Sequence, residues 1–110
     1  MTFFDLSQIT AISNDIGYDQ VFSLPLRQRG RPGDMLVAVS SSGASPNVMA
    51  AADAARELRI TLVTLTGKRP DNPLRARGDL NFYVPDDSYS LVETCHAAVL
   101  HWWMDLVHAS

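Results

Sequence analysis

Hydrophobic and polar positions fall into blocks along this chain, and the blocks differ in period. Met35–Val39 (MLVAV) and Ile60–Leu65 (ITLVTL) contain no charged residue and no turn residue. Short continuous runs of this kind suit strands buried on both faces, as in a parallel sheet covered by helices. Asp79–Val84 (DLNFYV), stopped by Pro85, predicts a third strand. Between the first two, Pro46–Arg59 places Val48, Met49, Ala52, Ala55 and Leu58 on one side and Asp53, Arg56 and Glu57 elsewhere, which predicts a helix. Ser45 followed by Pro46 is a helix-start signature, the serine capping a free amide and the proline fitting the first helical position. A last helix is predicted from Tyr89 to about His108, capped by Asp86, Asp87 or Ser88. Its apolar positions Leu91, Val92, Cys95, Ala98, Val99, Trp102 and Leu106 recur at helical spacing.

Upstream the pattern is weaker. Gln8–Ser13 (QITAIS) is rich in β-branched residues and predicts a short strand, broken by Asn14–Gly17. Tyr18–Gln28 reads as partly helical, limited by Pro25. Arg29–Asp34 (RGRPGD) and Thr66–Gly78 carry the glycines and prolines of loops. The order is strand, helix, strand, helix, strand, helix. It predicts an α/β fold, a three-layer doubly wound parallel sheet of about four strands with right-handed crossovers.

Composition narrows the function. The chain has 110 residues, 46% of them apolar, and a net charge of −3. One ordinary globular domain is expected. Its nine basic residues are scattered, apart from loose groups at Arg27, Arg29 and Arg31 and at Lys68, Arg69, Arg75 and Arg77. These read as solvated loop charges, so nucleic acid is not the expected partner. The one cysteine, Cys95, cannot support an internal disulfide framework, and a reducing compartment is expected. No run approaches the roughly 20 apolar residues of a membrane span. The start MTFFDLSQ lacks the basic and apolar regions of a signal peptide, so the expected setting is cytoplasmic and no membrane partner is expected.

The candidate chemistry lies at Ser40–Ser45 (SSSGAS), four serines and a glycine between a predicted strand and a predicted helix. Ligands of such sheets bind beyond the C-terminal ends of the strands. The helix start carries unsatisfied amides and a partial positive charge that favour an anion. Serine hydroxyls add donors, and Gly43 lets backbone approach closely. The alternative is a capping serine in a serine-rich turn. The Gly-Lys-Ser/Thr ending of a nucleotide-binding P-loop is absent, and no nucleotide cofactor is expected.

GDMLVAVSSSGASPNVMAAADAARE (Gly33–Glu57) resembles the central segment of the sugar isomerase (SIS) domain family, which recognises phosphosugars. NDIGYDQVFS (Asn14–Ser23), LVTLTGK (Leu62–Lys68) and ETCHAAVLH (Glu93–His101) resemble further segments of its phosphoheptose isomerase branch, in the same order. The likeness implies a partial SIS domain over residues 1–110, shortened at the N-terminus, with no match to the family's Gly-Asn-Gly-Gly-Ser loop or to its helix bearing a catalytic His and Glu. If Gln8–Ser13 is the family's second strand, it has lost its usual neighbour.

The resemblance implies that Ser40, Ser41, Ser42 and Ser45 contact a sugar phosphate and that Asp15 lies near the substrate hydroxyls and takes part in catalysis. His101 matches the final-helix histidine, a catalytic base or metal ligand. Glu93 falls where the branch has a zinc-binding glutamine, and Ser90 replaces a common aspartate. Zinc is therefore the implied cofactor, with Glu93 and His101 as ligands. These two lie eight residues apart, roughly 12 Å along a helix axis, so only extended side chains would share one ion. Simpler readings stand beside these: Asp15 as a turn former, Glu93 as a surface or interface carboxylate, the helix histidines His96, His101 and His108 as partly exposed or hydrogen-bonded, Cys95 as an inert core thiol. Trp102 and Trp103 read as core or interface aromatics. The family also implies a homo-oligomer, dimer or tetramer. The function implied is sedoheptulose 7-phosphate isomerisation; the alternative is a non-catalytic module that senses a phosphosugar or binds a partner such as the replication initiator.

Overall fold

Three of the predicted strands pair. In a computed structural model that describes residues 6–109, β1 (Met35–Val39), β2 (Thr61–Gly67) and β3 (Leu80–Val84) form a parallel sheet in the order β1-β2-β3. Met35 to Val39 pair with Thr61 to Leu65, and Val63 to Gly67 with Leu80 to Val84. The central strand is buried from Leu62 to Gly67. That is why its sequence is apolar without alternation: both of its faces are covered. The N-terminal MTFFD of the signal-peptide reading lies outside the described residues.

The cover differs on the two sides. Ala38 and Leu62 face α3 (Pro46–Glu57), whose Ala52, Ala54 and Ala55 are fully buried in one cluster with Leu26 and Leu74. Alanine at these positions lets the helix lie close to the sheet. Side chains alternate along a strand, so Gly67 belongs to the face opposite Leu62. There Val92 of α4 (Tyr89–Ala109) occupies the space that a Cβ on Gly67 would need. Helices on both faces give the predicted three layers. Ser88 is the cap of α4, its hydroxyl accepting the Leu91 amide at 3.3 Å. Pro25 lies in the first turn of α2 (Ser23–Arg29), where proline is tolerated. The short helix packs along α3.

One expectation is corrected. Gln8–Ser13 is not a strand but the body of α1 (Leu6–Asp15), so the sheet has three strands among the described residues rather than about four. Ile9 and Ile12 are three apart, and Ile12 is buried. The Thr10 hydroxyl donates to the carbonyls of Leu6 and Ser7 at 3.0 and 3.1 Å, a bonding mode that accommodates threonine inside a helix. The apolar stripe of α4 is only partly core. Val92 is fully buried, Cys95, Val99 and Trp103 are half-buried, and Leu91, Trp102 and Leu106 are exposed. At the far edge of the sheet β1 has no strand on its outer side among the described residues, and Met35 and Val39 are exposed.

Surface ion pairs join neighbouring elements: Arg27 with Glu57, Arg77 with Asp53, and Arg56 with Asp79. Exposed pairs contribute little. Asp79 does more, because one carboxylate oxygen also accepts the Leu62 amide at 2.8 Å and ties the start of β3 to β2. That amide, with the Arg56 guanidinium beside it, holds the Asp79 carboxyl below the ordinary value of about 4. A depressed carboxyl stabilises the fold above its unfolded pKa, and that contribution is lost as pH falls through the folded one. Asp79→Asn is therefore expected to flatten the loss of stability in acid, seen as a smaller drop in urea midpoint between pH 6 and pH 3. An unchanged pH profile would show that the Leu62 and Arg56 contacts do not matter to folding.

Candidate functional site

β1 hands directly into the serine corner. The Ser40 amide donates to Leu65 O at 3.0 Å, extending the strand ladder by one residue, and Ser40 is 7% exposed. Its hydroxyl is the centre of the corner. Ser40 Oγ accepts the Gly43 amide at 3.1 Å and lies 3.1 Å from Ser45 Oγ and 3.4 Å from Ser42 Oγ. Ser42 Oγ accepts the Ala44 amide at 3.2 Å. Gly43 adopts φ +66°, a left-handed conformation that glycine takes freely. Its carbonyl accepts the Leu74 amide at 2.9 Å. The turn thus folds back so that three hydroxyls meet at the mouth of α3.

Ser45 occupies the N-cap position and Pro46 the first helical position, as predicted. The capping bond itself is not made: the Ser45 hydroxyl turns toward Ser40 rather than toward the helix amides. The 12-residue helix α3 therefore begins without a cap from Ser45; Pro46 has no amide hydrogen, and the Val48 amide donates to Asn47 Oδ1 at 2.8 Å. The dipole of the helix and the cluster of hydroxyls at its start are features that favour a negatively charged group. Ser41 is half-buried and its hydroxyl makes no hydrogen bond among the described residues.

The other sequence-derived candidates are not drawn into this corner. Asp15 is the exposed last residue of α1, and no hydrogen bond among the described residues links it to the serines. Glu93 and His101 are both exposed on α4. Ser90 pairs with the Ser88 hydroxyl at 2.9 Å. Among the described residues no group of three or more His, Cys, Asp or Glu side chains stands together as a metal site, so Glu93 and His101 do not by themselves form a set that fits zinc. Two hollows, one lined by Leu26, Gly30, Met35 and Ile60 and one by Arg56, Arg59 and Asp79, open at the N-terminal ends of the strands, away from the serines.

The histidine that α4 buries is His96, at 3% exposure. Its Nε2 lies 2.8 Å from Thr66 O. A carbonyl only accepts, so Nε2 carries a hydrogen, while Nδ1 is buried and has no hydrogen-bond partner among the described residues. His96 sits one turn after Val92, and this i, i+4 relation to the stripe was the signal available in the sequence. His101 lies five residues on, roughly 7.5 Å along the axis and about 140° round the helix, on a solvent face.

The fold and the hydroxyl-lined helix start define a class of protein. The family model described as SIS domain matches residues 1–67. The chain belongs to the SIS domain family. It is 44% identical over 97 residues to a phosphoheptose isomerase of Streptomyces coelicolor, covering 88% of this chain and 42% of the relative. It is 41% identical over 103 residues to a phosphoheptose isomerase of Shewanella sediminis, covering 92% and 52%. A phosphoheptose isomerase structure from Neisseria gonorrhoeae superposes with a TM-score of 0.93 at 36% identity, over 97% of this chain and 59% of that one. One from Francisella tularensis gives 0.92 at 26% identity, over 97% and 57%. The chain spans about half the length of the curated relatives it matches.

Gly43→Ala would force a left-handed alanine and drive its Cβ into the Asn72 side chain. Gly33 has φ +94° but open space where its Cβ would go, so Gly33→Ala isolates the backbone penalty. The expected result in urea denaturation is a loss of about 1 to 3 kcal/mol for Gly43→Ala beyond that of Gly33→Ala. Equal losses would mean that Gly43 is chosen for its backbone alone.

Proposed function

We propose that this chain supplies the phosphate grip of a phosphosugar isomerase of the phosphoheptose isomerase type, acting on sedoheptulose 7-phosphate in the cytoplasm. One observation carries the reading: the hydroxyls of Ser40, Ser42 and Ser45 meet at the start of α3. A phosphate seated there receives hydrogen bonds from these serines and from Ser41, and from amides at the helix mouth. Its sugar chain then extends over the C-terminal edge of the sheet. The single cysteine and the lack of a helix long and apolar enough to cross a membrane among the described residues support the setting.

Aldose–ketose isomerisation moves a proton between adjacent carbons through an enediol, and it needs a base, an acid and a fixed substrate. His101 is the proton-transfer group in this reading, histidine being the side chain most often used to pass a proton in catalysis. Asp15 binds substrate hydroxyls and is the acidic group offered beside it. Zinc bound by Glu93 and His101 requires further ligands from outside the described residues, and no step here passes through a metal. His101 and Glu93 face solvent, so the reacting end of the substrate is reached when α4 lies beside another copy of the chain. The exposed Leu91, Trp102 and Leu106 of α4 support such a homo-oligomer.

Calorimetric titration with sedoheptulose 7-phosphate tests the grip. Ser42→Ala and Ser45→Ala are each expected to weaken binding roughly tenfold, the scale of one hydrogen bond to a charged group. His101→Ala should keep the affinity and remove turnover. Wild-type protein that binds the sugar phosphate and never turns it over would favour the non-catalytic sensing module. Unchanged affinity in both serine variants would remove the grip from this corner. For the assembly, light scattering should give a dimer or tetramer, and Trp102→Glu with Leu106→Glu should shift it to monomer. A wild-type monomer at high micromolar concentration excludes the shared arrangement.

A further inference from the structure

Behind the serine corner stands a residue that neither the motif nor the resemblance singles out. Asn72 follows β2 in the loop that leads to β3, and it is 4% exposed. All of its amide is used. Nδ2 donates to Thr66 Oγ1 at 3.1 Å, to Gly67 O at 3.3 Å and to Arg69 O at 2.9 Å. Oδ1 accepts the Arg75 amide at 2.8 Å. The side chain is thereby locked onto the end of the central strand, and a buried carboxamide satisfied in this way has one orientation.

That orientation bears on the corner. The Asn72 side chain fills the space next to Gly43 where any other residue would carry a Cβ. Two residues on, the Leu74 amide holds the Gly43 carbonyl at 2.9 Å. Gly43 is thus backed by a side chain and pinned through its oxygen, with its amide shared between Ser40 Oγ and Ser40 O, each 3.1 Å away. Ser40 Oγ is the atom around which Ser42 and Ser45 gather. We propose that Asn72 is the positioning residue of the serine corner: through Gly43 it sets the direction of the Ser40 hydroxyl, and so the spacing of the three hydroxyls presented to an anion. This rests on the reading of that corner as a phosphate grip.

The test uses the whole chain and inorganic phosphate as the probe, with binding followed by titration at a temperature where every variant is folded. Asn72→Ala is compared with Ile60→Ala, a core truncation at the opposite end of β2 that weakens the fold without touching the corner. Amide hydrogen exchange at Gly43 and at Val63 is measured without ligand. The expected result is phosphate affinity reduced about tenfold or more in Asn72→Ala and unchanged in Ile60→Ala, with faster exchange at Gly43 and none at Val63. Asn72→Ala that binds phosphate as tightly as wild type overturns the positioning role and leaves the grip intact. Wild type that fails to bind phosphate removes the grip, and the role of Asn72 with it.

Discussion

The burial of one strand end governs the rest of this structure. Thr66 and Gly67, the last residues of β2, are enclosed on both faces of the sheet, where an unpaired polar group is expensive. Their oxygens have drawn in partners from outside the sheet. The Thr66 carbonyl takes His96 from α4, and its hydroxyl takes Asn72 from the following loop. Gly67 lacks a side chain because Val92 needs the room. One register back, Leu65 O takes the first serine of the corner. The helix, the loop and the candidate site are therefore located by one demand, that a buried strand terminus leave nothing unsatisfied.

How far this could be read in the sequence depended on whether local preference and tertiary packing agreed. They agree in MLVAV and ITLVTL, where a covered parallel strand has only one simple pattern. They agree at Ser45 and Pro46, which begin a helix at the expected residue. They disagree in QITAIS, where Ile9, Thr10 and Ile12 favour a strand one residue at a time. The chain instead gains by burying Ile12 and letting Thr10 bond back along a helix. In α4 the apolar spacing was legible but its meaning was not. A stripe that meets the sheet at Val92 and His96 and then runs on into solvent looks the same in sequence as one buried throughout.

The candidate site divides in the same way. Ser40, Ser42 and Ser45 lie within six residues of one another, so local geometry brings them together and the sequence suffices to see it. Asn72 is distant in sequence and acts through a carboxamide that any loop might contain; only the fold brings it to Gly43. Asp15, Glu93 and His101 were identified by likeness, and each is exposed here. The chain spans about half the length of the curated relatives it matches.

The corner assembles hydroxyls and amides, with no lysine or arginine hydrogen-bonded into it among the described residues. Dipoles held at contact distance act over a short range that dissolved ions do not reach, whereas a full counter-charge is felt across a Debye length and fades as electrolyte is added. An anion gripped by such neutral groups loses less of its hold to added salt than one held by a full counter-charge, and it is released without having to break an ion pair.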